Sequence, residues 1–507
     1  MVPADMSIAS LPRNSIASVA QVVLTTLLLL VLYRVLVRTI GADGVGTWSL
    51  VLAGISISRI TEFGFTGAVV KFVASGVADG DRERAAADVW LAAAVVAVSL
   101  GVGMVVVFAC FDLVIALAID QPGTRESARA LLPIAIASLW LSGIAAVFLS
   151  GIDGCQRMDL RSVAVTVSTA ANVGLALMVV DTWGLQGVAM AHLAQSFLVL
   201  AAAALMLGRL LPLLEVRTRW WSRRRFRALL GYGINIQIAS AAMLLFEPTT
   251  KVLLGRYGDL SVVGYYEMAN GVIARARALL LAAYQALVPA VAGIAEREAG
   301  AVVGLYEKSL ALLMLLIPPG YALLAIGAPA LSIVLLGRQD PQFLFIAWVV
   351  CAGWATNTVN VPAYFFNLGT GRLRWNTISH VVMGLTNLAV SAVLGALFGW
   401  QGVIVGSMTA LCLGSMLPVM AFHRRHRIPL TEIVRRDHRL VLATSVIAAV
   451  ALTIISHYWL PPIGEARSAF VRALVPVAAL TLLLMPLVWR HPMLRVALGL
   501  VRRGIRR

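Results

Sequence analysis

Charge is what this sequence is short of. Asp, Glu, Lys and Arg make up 13% of its 507 residues, about half the share a soluble globular chain carries. That scarcity excludes a water-soluble fold. With 60% hydrophobic residues and a mean hydropathy of +0.89, the whole chain reads as an integral membrane protein. Cysteine is scarce as well: Cys110, Cys155, Cys351 and Cys412 are scattered without a C-x-x-C pair, which argues against a disulfide framework or a metal site. Neither G-x-x-x-x-G-K-[ST] nor H-E-x-x-H occurs, and no long polar segment could house a catalytic domain. The expectation is therefore a non-enzyme without cofactor or metal, working from ion gradients, membrane potential or the gradient of its own substrate. The opening "MVPADMSIASLPRNS" lacks a basic start and a short apolar core, so no cleaved signal peptide is expected.

What is present is a succession of apolar runs of about 20 residues with short polar connections, the pattern of helical spans. The ten-residue alternation of a membrane β-barrel is missing. Fourteen spans are expected, at 15–38, 44–73, 87–110, 130–150, 160–181, 185–208, 228–254, 260–290, 306–334, 342–366, 375–398, 400–421, 440–460 and 469–489. The net charge of +17 does not point to nucleic acid, because Lys and Arg crowd into alternate connections. The clusters at 217–227 ("RTRWWSRRRFR"), 424–439 and the tail "RRGIRR" orient the chain with both termini in the cytoplasm by the positive-inside rule. They are also places where anionic lipid could dock.

The halves of the chain resemble each other. "VLVRTIGADGVGTW" (35–48) matches "VLLGRYGDLSVVGYY" (252–266), with Val45-Gly46 against Val263-Gly264 at a shift of 218. "WGLQGVAMA" (183–191) matches "FGWQGVIVG" (398–406) at a shift of 215, and Arg157 falls opposite Arg372 at the same shift. Six spans separate the copies, so both have one orientation, and a direct repeat of six helices implies two lobes about an axis along the membrane normal with a site between them. The expected division is a lobe over 1–210, a basic linker 211–227, a second lobe 228–422, a basic loop 423–439 and two extra spans within 440–507.

Charges inside spans mark candidate sites, since a basic residue at a helix centre costs about 2.5–3.5 kcal/mol to insert. Arg59 in "ISISRITEFGF" maps onto Arg277 in "GVIARARALL" at the shift of 218, and Arg34 maps onto Lys251 at 217. With Arg275 as an extra, these bases would line a cationic cavity suited to an anion. The competing reading of Arg59 is a structural bridge to Glu62, three residues on and on the same helical face. Arg34 and Lys251 lie nearer span ends, where snorkelling accounts for them. Arg275 and Arg277 have only Glu267 nearby along the chain. Glu62, Glu247 and Glu267 are candidates for a coupling ion or for ion pairing, and Glu247–Lys251 has the i,i+4 spacing of a helical pair. His192 and His380, each alone in its span, read as polar packing.

"RITEFGFTGAVVKFVA" and "EPTTKVLLGRYGDLSVVGYYEMANGV" (247–272) resemble the polysaccharide flippases. Glu247, Lys251, Leu254-Gly255, Val263-Gly264, Tyr266 and Ala269 occupy that family's pattern, with Glu where Asp is commoner. The resemblance covers about 10–425 and points to the lipid-linked oligosaccharide branch of the multidrug/oligosaccharidyl-lipid/polysaccharide exporter superfamily. It implies an all-α membrane protein of about fourteen helices, two pseudo-symmetric six-helix lobes plus two C-terminal helices, alternating between inward- and outward-open states. The implied substrate is a polyprenyl-diphosphate-linked oligosaccharide moved to the outer leaflet of the bacterial plasma membrane for surface polysaccharide biosynthesis. Membrane lipids, a polysaccharide polymerase and glycosyltransferases of the same pathway are the implied partners. A peptidoglycan lipid precursor flippase and a cation-coupled drug antiporter of the same superfamily are the alternatives; the antiporter would prefer an acidic centre.

Overall fold

The fold is that of a computed structural model, which describes residues 5–62, 64–119, 121–215, 221–231, 233, 246–285, 291, 299–458 and 466–490. The basic tail 502–507, Arg217, Arg219 and residues 234–245 of the span expected at 228–254 lie outside the described residues. Among the described residues every regular element is a helix, as it must be where lipid offers the backbone no hydrogen-bond partner.

The order is α1 (Asp5–Ser56), a 3-10 segment (Ile57–Glu62), α2 (Phe65–Ala78), α3 (Arg82–Ala118), α4 (Pro122–Gly154), α5 (Met158–Gly208), α6 (Phe246–Tyr257), α7 (Leu260–Gln285) and α8 (Ala299–Leu336). Then come α9 (Pro341–Val359), α10 (Val361–Gly369), α11 (Arg374–His426), α12 (Arg436–Tyr458) and α13 (Ala466–Arg490). Among the described residues, seven helices are long and apolar enough to cross a membrane. Three long helices hide two spans each. α1 breaks at Gly41 (φ 74°), α5 at Gly184 (φ 52°, ψ −132°) and α11 at Gly399 (φ 65°, ψ −150°). Only glycine enters that region of backbone space readily, and each break falls where the apolar pattern divides two expected spans. With these breaks, the described helices follow the order of the expected spans, with α1 after Gly41 running on into α2 and α9 into α10.

The repeat is written into the backbone. The turn after α4 and the turn after α10 make the same three hydrogen bonds at a shift of 215. Cys155 N–H to Gly151 O, Gln156 to Asp153 and Arg157 to Ile152 answer Thr370 to Phe366, Gly371 to Leu368 and Arg372 to Asn367. The left-handed residue is Gln156 (φ 60°) in one copy and Gly371 (φ 72°) in the other. Gly184 and Gly399, equally 215 apart, share one unusual geometry.

By packing, the chain forms two units: residues 1–267 with 391–403, and residues 268–390 with 404–507. The core of the first gathers Phe65, Val69, Val73, Val89, Leu91, Val96, Val147 and Phe148 from α2, α3 and α4 with Leu207 and Leu229. In the second, α8 packs against α9, α12 and α13, with Ile326, Ala448, Leu480 and Leu484 sealing one seam. Outward faces are as apolar as the cores: Val98, Val105 and Phe108 of α3 and Leu482 of α13 are exposed, as lipid contact requires.

Candidate functional site

The span expected over 44–73 is not one helix. α1 ends at Ser56, the chain tightens into the 3-10 turn Ile57–Glu62, and Gly64 at φ 67° starts α2. A side chain at Gly64 would collide with the carbonyl of Gly233, so the break needs glycine there. Arg59 and Glu62 sit inside this interruption. In a 3-10 turn residues i and i+3 eclipse, and the pair closes at Arg59 Nε–Glu62 Oε1 3.3 Å, with 39% and 16% of the side chains exposed. Interrupted helices are where membrane transporters place charges, because unwound backbone is tolerated only beside protein or a watery cavity.

Lys251 does not snorkel. Its side chain is 8% exposed, and its ammonium meets Glu247 Oε1 at 2.9 Å and Glu267 Oε2 at 2.7 Å. Glu267 also accepts hydrogen bonds from Ser49 (2.7 Å) and Tyr33 (3.2 Å). The reason for the difference is tertiary: α7 turns Glu267 toward α6 and α1, so the carboxylate nearest Arg275 and Arg277 in sequence is spent on another base. Arg34, one residue beyond Tyr33 on α1, is half-buried.

In the second unit Arg275 and Arg277 share α7 but not surroundings. Arg275 donates to the carbonyl of Gly271 one turn back, at 2.9 Å. Arg277 lies over the ring of Trp354, its guanidinium carbon 4.8 Å from the centroid. Among the described residues its Nε is buried without a hydrogen-bond partner, and it makes no ion pair. Trp354 is fixed from the other side, its indole N–H donating to Asn270 Oδ1 at 2.8 Å; Asn270 stands two helical turns before Arg277 on one face of α7. Tyr321 and Tyr364 lie within electrostatic reach of Arg277, and so does His380. Tyr321 bonds Thr358 Oγ1 at 2.8 Å, Tyr364 packs edge-on to His380 at 5.9 Å, and His380 Nδ1 is buried without a hydrogen-bond partner among the described residues.

The expected site residues therefore fall into three places. Lys251 and Glu267 form a cluster with Glu247 at its exposed end, Arg59 and Glu62 pair at the helix break, and Arg277 lies over Trp354 with Tyr321 and Tyr364 within electrostatic reach. Trp354, Tyr321 and Tyr364 carry no mark in the sequence, where they look like ordinary span residues. Asn270, seven residues before Arg277, is the one available signal. Chemically, a cation–π-held guanidinium with a free N–H and neighbouring hydroxyls can take a compact oxyanion.

A family model described as polysaccharide biosynthesis protein matches residues 11–295, so the chain belongs to that family. No curated protein matches the sequence. Among solved structures, the fold is similar to an inward-facing multidrug resistance MATE family transporter of the MOP superfamily, at TM-score 0.69 and 14% identity over 82% of this chain and 98% of that one. It is comparably similar to the lipid II flippase MurJ in an inward closed conformation, at TM-score 0.67 and 10% identity over 94% and 99%. A MOP superfamily transporter from Pyrococcus furiosus Vc1, described as having reversed binding-pocket polarity, aligns at TM-score 0.55 and 14% identity over 80% and 95%. At these identities the likeness establishes the fold: this is a multi-pass membrane protein of transporter architecture in a polysaccharide biosynthesis family.

Proposed function

We propose that this member of the polysaccharide biosynthesis family is a flippase for a polyprenyl-diphosphate-linked oligosaccharide. It carries the glycan headgroup from the cytoplasmic to the outer leaflet of a bacterial plasma membrane by alternating access. The observation that carries the reading is Arg277: a guanidinium in a membrane helix, unpaired by any carboxylate among the described residues, seated on Trp354 among tyrosines. A diphosphate supplies the missing anion, and the planar fork of arginine matches its oxygens. Aromatic faces and tyrosine hydroxyls suit the sugar that follows. Arg59, restrained by Glu62 at the break, is the base that the first unit offers to the headgroup.

The driving force fits an exporter of anions. Moving one negative charge outward against an inside-negative potential gains about 2.3 kcal/mol per 100 mV. A tethering carboxylate such as Glu62 keeps the bases from holding the substrate too tightly. The MurJ-like alternative, a peptidoglycan precursor, shares the diphosphate and differs in the glycan, whereas the drug antiporter would leave Arg277 without a counter-ion.

The test is flipping of a fluorescent undecaprenyl-diphosphate oligosaccharide in proteoliposomes, scored by access of a membrane-impermeant lectin. Transport of this lipid that is lost in Arg277→Gln supports the reading. Export of cationic dyes with no lipid-linked glycan transport overturns it.

A further inference from the structure

A charged cavity lies in the first unit, lined by none of the residues of the Arg59–Glu62 pair or the Lys251 cluster. It has a volume of about 450 Å³ and is lined by Phe72, Asp81, Arg84, Asp88, Arg224 and Arg225. Its walls are the start of α3 and the helical residues 223–231. The latter is firmly seated, because Phe226 stacks on Phe65 and Trp221, and Leu229 belongs to the core. Trp90 N–H holds the incoming chain at Leu213 O, 2.8 Å.

Two features point to a ligand of both signs. Asp88 is only 2% exposed, yet among the described residues it makes neither a hydrogen bond nor an ion pair, and it faces this cavity. Arg84 and Arg225 are its charged neighbours; Arg84 also pairs with Asp79 Oδ2 at 3.8 Å, and Arg224 and Arg225 make no ion pair among the described residues. Asp81 is already engaged, accepting the Arg84 backbone N–H at 2.9 Å as the cap of α3. A buried carboxylate that no hydrogen bond or close ion pair holds can take an ammonium from the cavity, and the arginines call for a phosphate. Trp221, exposed beside them, is a side chain of the kind concentrated at membrane interfaces. The volume suits a small polar headgroup.

We propose that this cavity binds the phosphoethanolamine headgroup of a membrane phospholipid, in the leaflet that is cytoplasmic under the positive-inside orientation. Arg84, Arg224 and Arg225 take the phosphodiester and Asp88 takes the ammonium. The site shares no lining residue with the Arg59–Glu62 pair or with Arg277 and Trp354.

The experiment measures binding of short-chain phosphatidylethanolamine, phosphatidylglycerol and phosphatidylcholine to the purified full-length protein in detergent, by native mass spectrometry and by melting-temperature shift. Phosphatidylethanolamine is expected to bind best. Asp88→Asn should weaken it by about tenfold or more, the range of a charge-assisted hydrogen bond, and bring it level with phosphatidylglycerol. The Arg224→Gln/Arg225→Gln pair, one position exposed and one half-buried, should weaken both lipids. Preference for phosphatidylglycerol, or an Asp88→Asn protein that still prefers phosphatidylethanolamine, overturns the assignment. Soluble O-phosphoethanolamine is the remaining arm: if it binds as tightly as the lipid, a free metabolite and not a phospholipid is the ligand, and the proposal fails.

Discussion

Ser49 and Glu267 are repeat-equivalent residues, 218 positions apart, and they are hydrogen-bonded to each other at 2.7 Å. Asp43 and Ser261, at the same separation, are bonded as well, with the acid now in the first copy. Between these contacts Gly46 and Gly264 meet. A side chain at Gly46 would strike the carbonyl of Leu260, and one at Gly264 the carbonyl of Ala42. Residues 43, 46 and 49 form one helical face, and 261, 264 and 267 its counterpart. Equivalent positions face one another only when two parallel helices share a local two-fold axis, so this stretch of α1 and the start of α7 keep the symmetry of the duplicated sequence.

Gly46→Ala and Gly264→Ala should each destabilise the protein by about 1–3 kcal/mol, the cost of overpacking a tight contact. Because both act on one crossing, the double variant should cost less than the sum. Melting in detergent measures this. Two variants as stable as the parent would show that the crossing contributes nothing to holding the fold.

Lys251 stands between two carboxylates of unequal exposure, Glu247 at 51% and Glu267 at 27% of the side chain. Removing one partner of a buried pair costs about 3–5 kcal/mol because the other charge is stranded. Lys251→Met should therefore melt early, and Glu267→Gln added to it should restore much of the loss. Glu247→Gln, at the exposed end, should change stability by less than about 1 kcal/mol. Destabilisation by Lys251→Met that the second change leaves untouched would mean that packing, and not charge, holds this cluster.

Span order, the glycine breaks and the duplicated turns are legible in the sequence because each has a local chemical cause. G-x-Q-G-V marks Gly184 and Gly399, and an apolar run of membrane length can only be a helix. The break at 57–64 is visible only as its symptom, the charges Arg59 and Glu62 in an apolar run, since Gly64 takes its left-handed turn in answer to a distant backbone at Gly233. The partner of Glu267 is out of reach for a similar reason. Sequence spacing measures neighbours along one helix, whereas Lys251, Ser49 and Tyr33 come from two others. Trp354 and the tyrosines around Arg277 are hidden by their ordinariness, because aromatic residues in spans carry no signal until a fold brings them to a cation.

The Arg59–Glu62 pair separates structure from substrate contact. In the swapped protein, Arg59→Glu with Glu62→Arg, the ion pair of the 3-10 turn can re-form. Full flipping by the swapped protein assigns the pair a structural role. The site reading predicts near-parent melting together with transport reduced about tenfold or more, since a carboxylate now stands where the diphosphate needs a base. The single change Glu62→Gln should tighten lipid-diphosphate binding while slowing release, measured as a lower half-saturation and a lower maximal rate.

Arg277 differs from Arg59, Arg275 and Lys251 in making neither an ion pair nor a hydrogen bond at Nε among the described residues, its direct contact being the ring of Trp354. Cation–π contact contributes about 0.5–2 kcal/mol, and relief of a buried, unbonded N–H offsets part of that. Arg277→Gln should accordingly melt within about 1 kcal/mol of the parent. Transport should nonetheless fall by two orders of magnitude or more, the effect of removing a charge-assisted bidentate contact of about 3 kcal/mol. Arg277→Lys keeps the charge but loses the fork and the flat stacking face, so it should recover only part of the rate. Trp354→Phe, which retains an aromatic face but drops the bond to Asn270, should fall between the parent and Arg277→Gln. If Arg277→Gln transports like the parent, the cage around Trp354 is packing alone, and the anion must be met elsewhere in the chain.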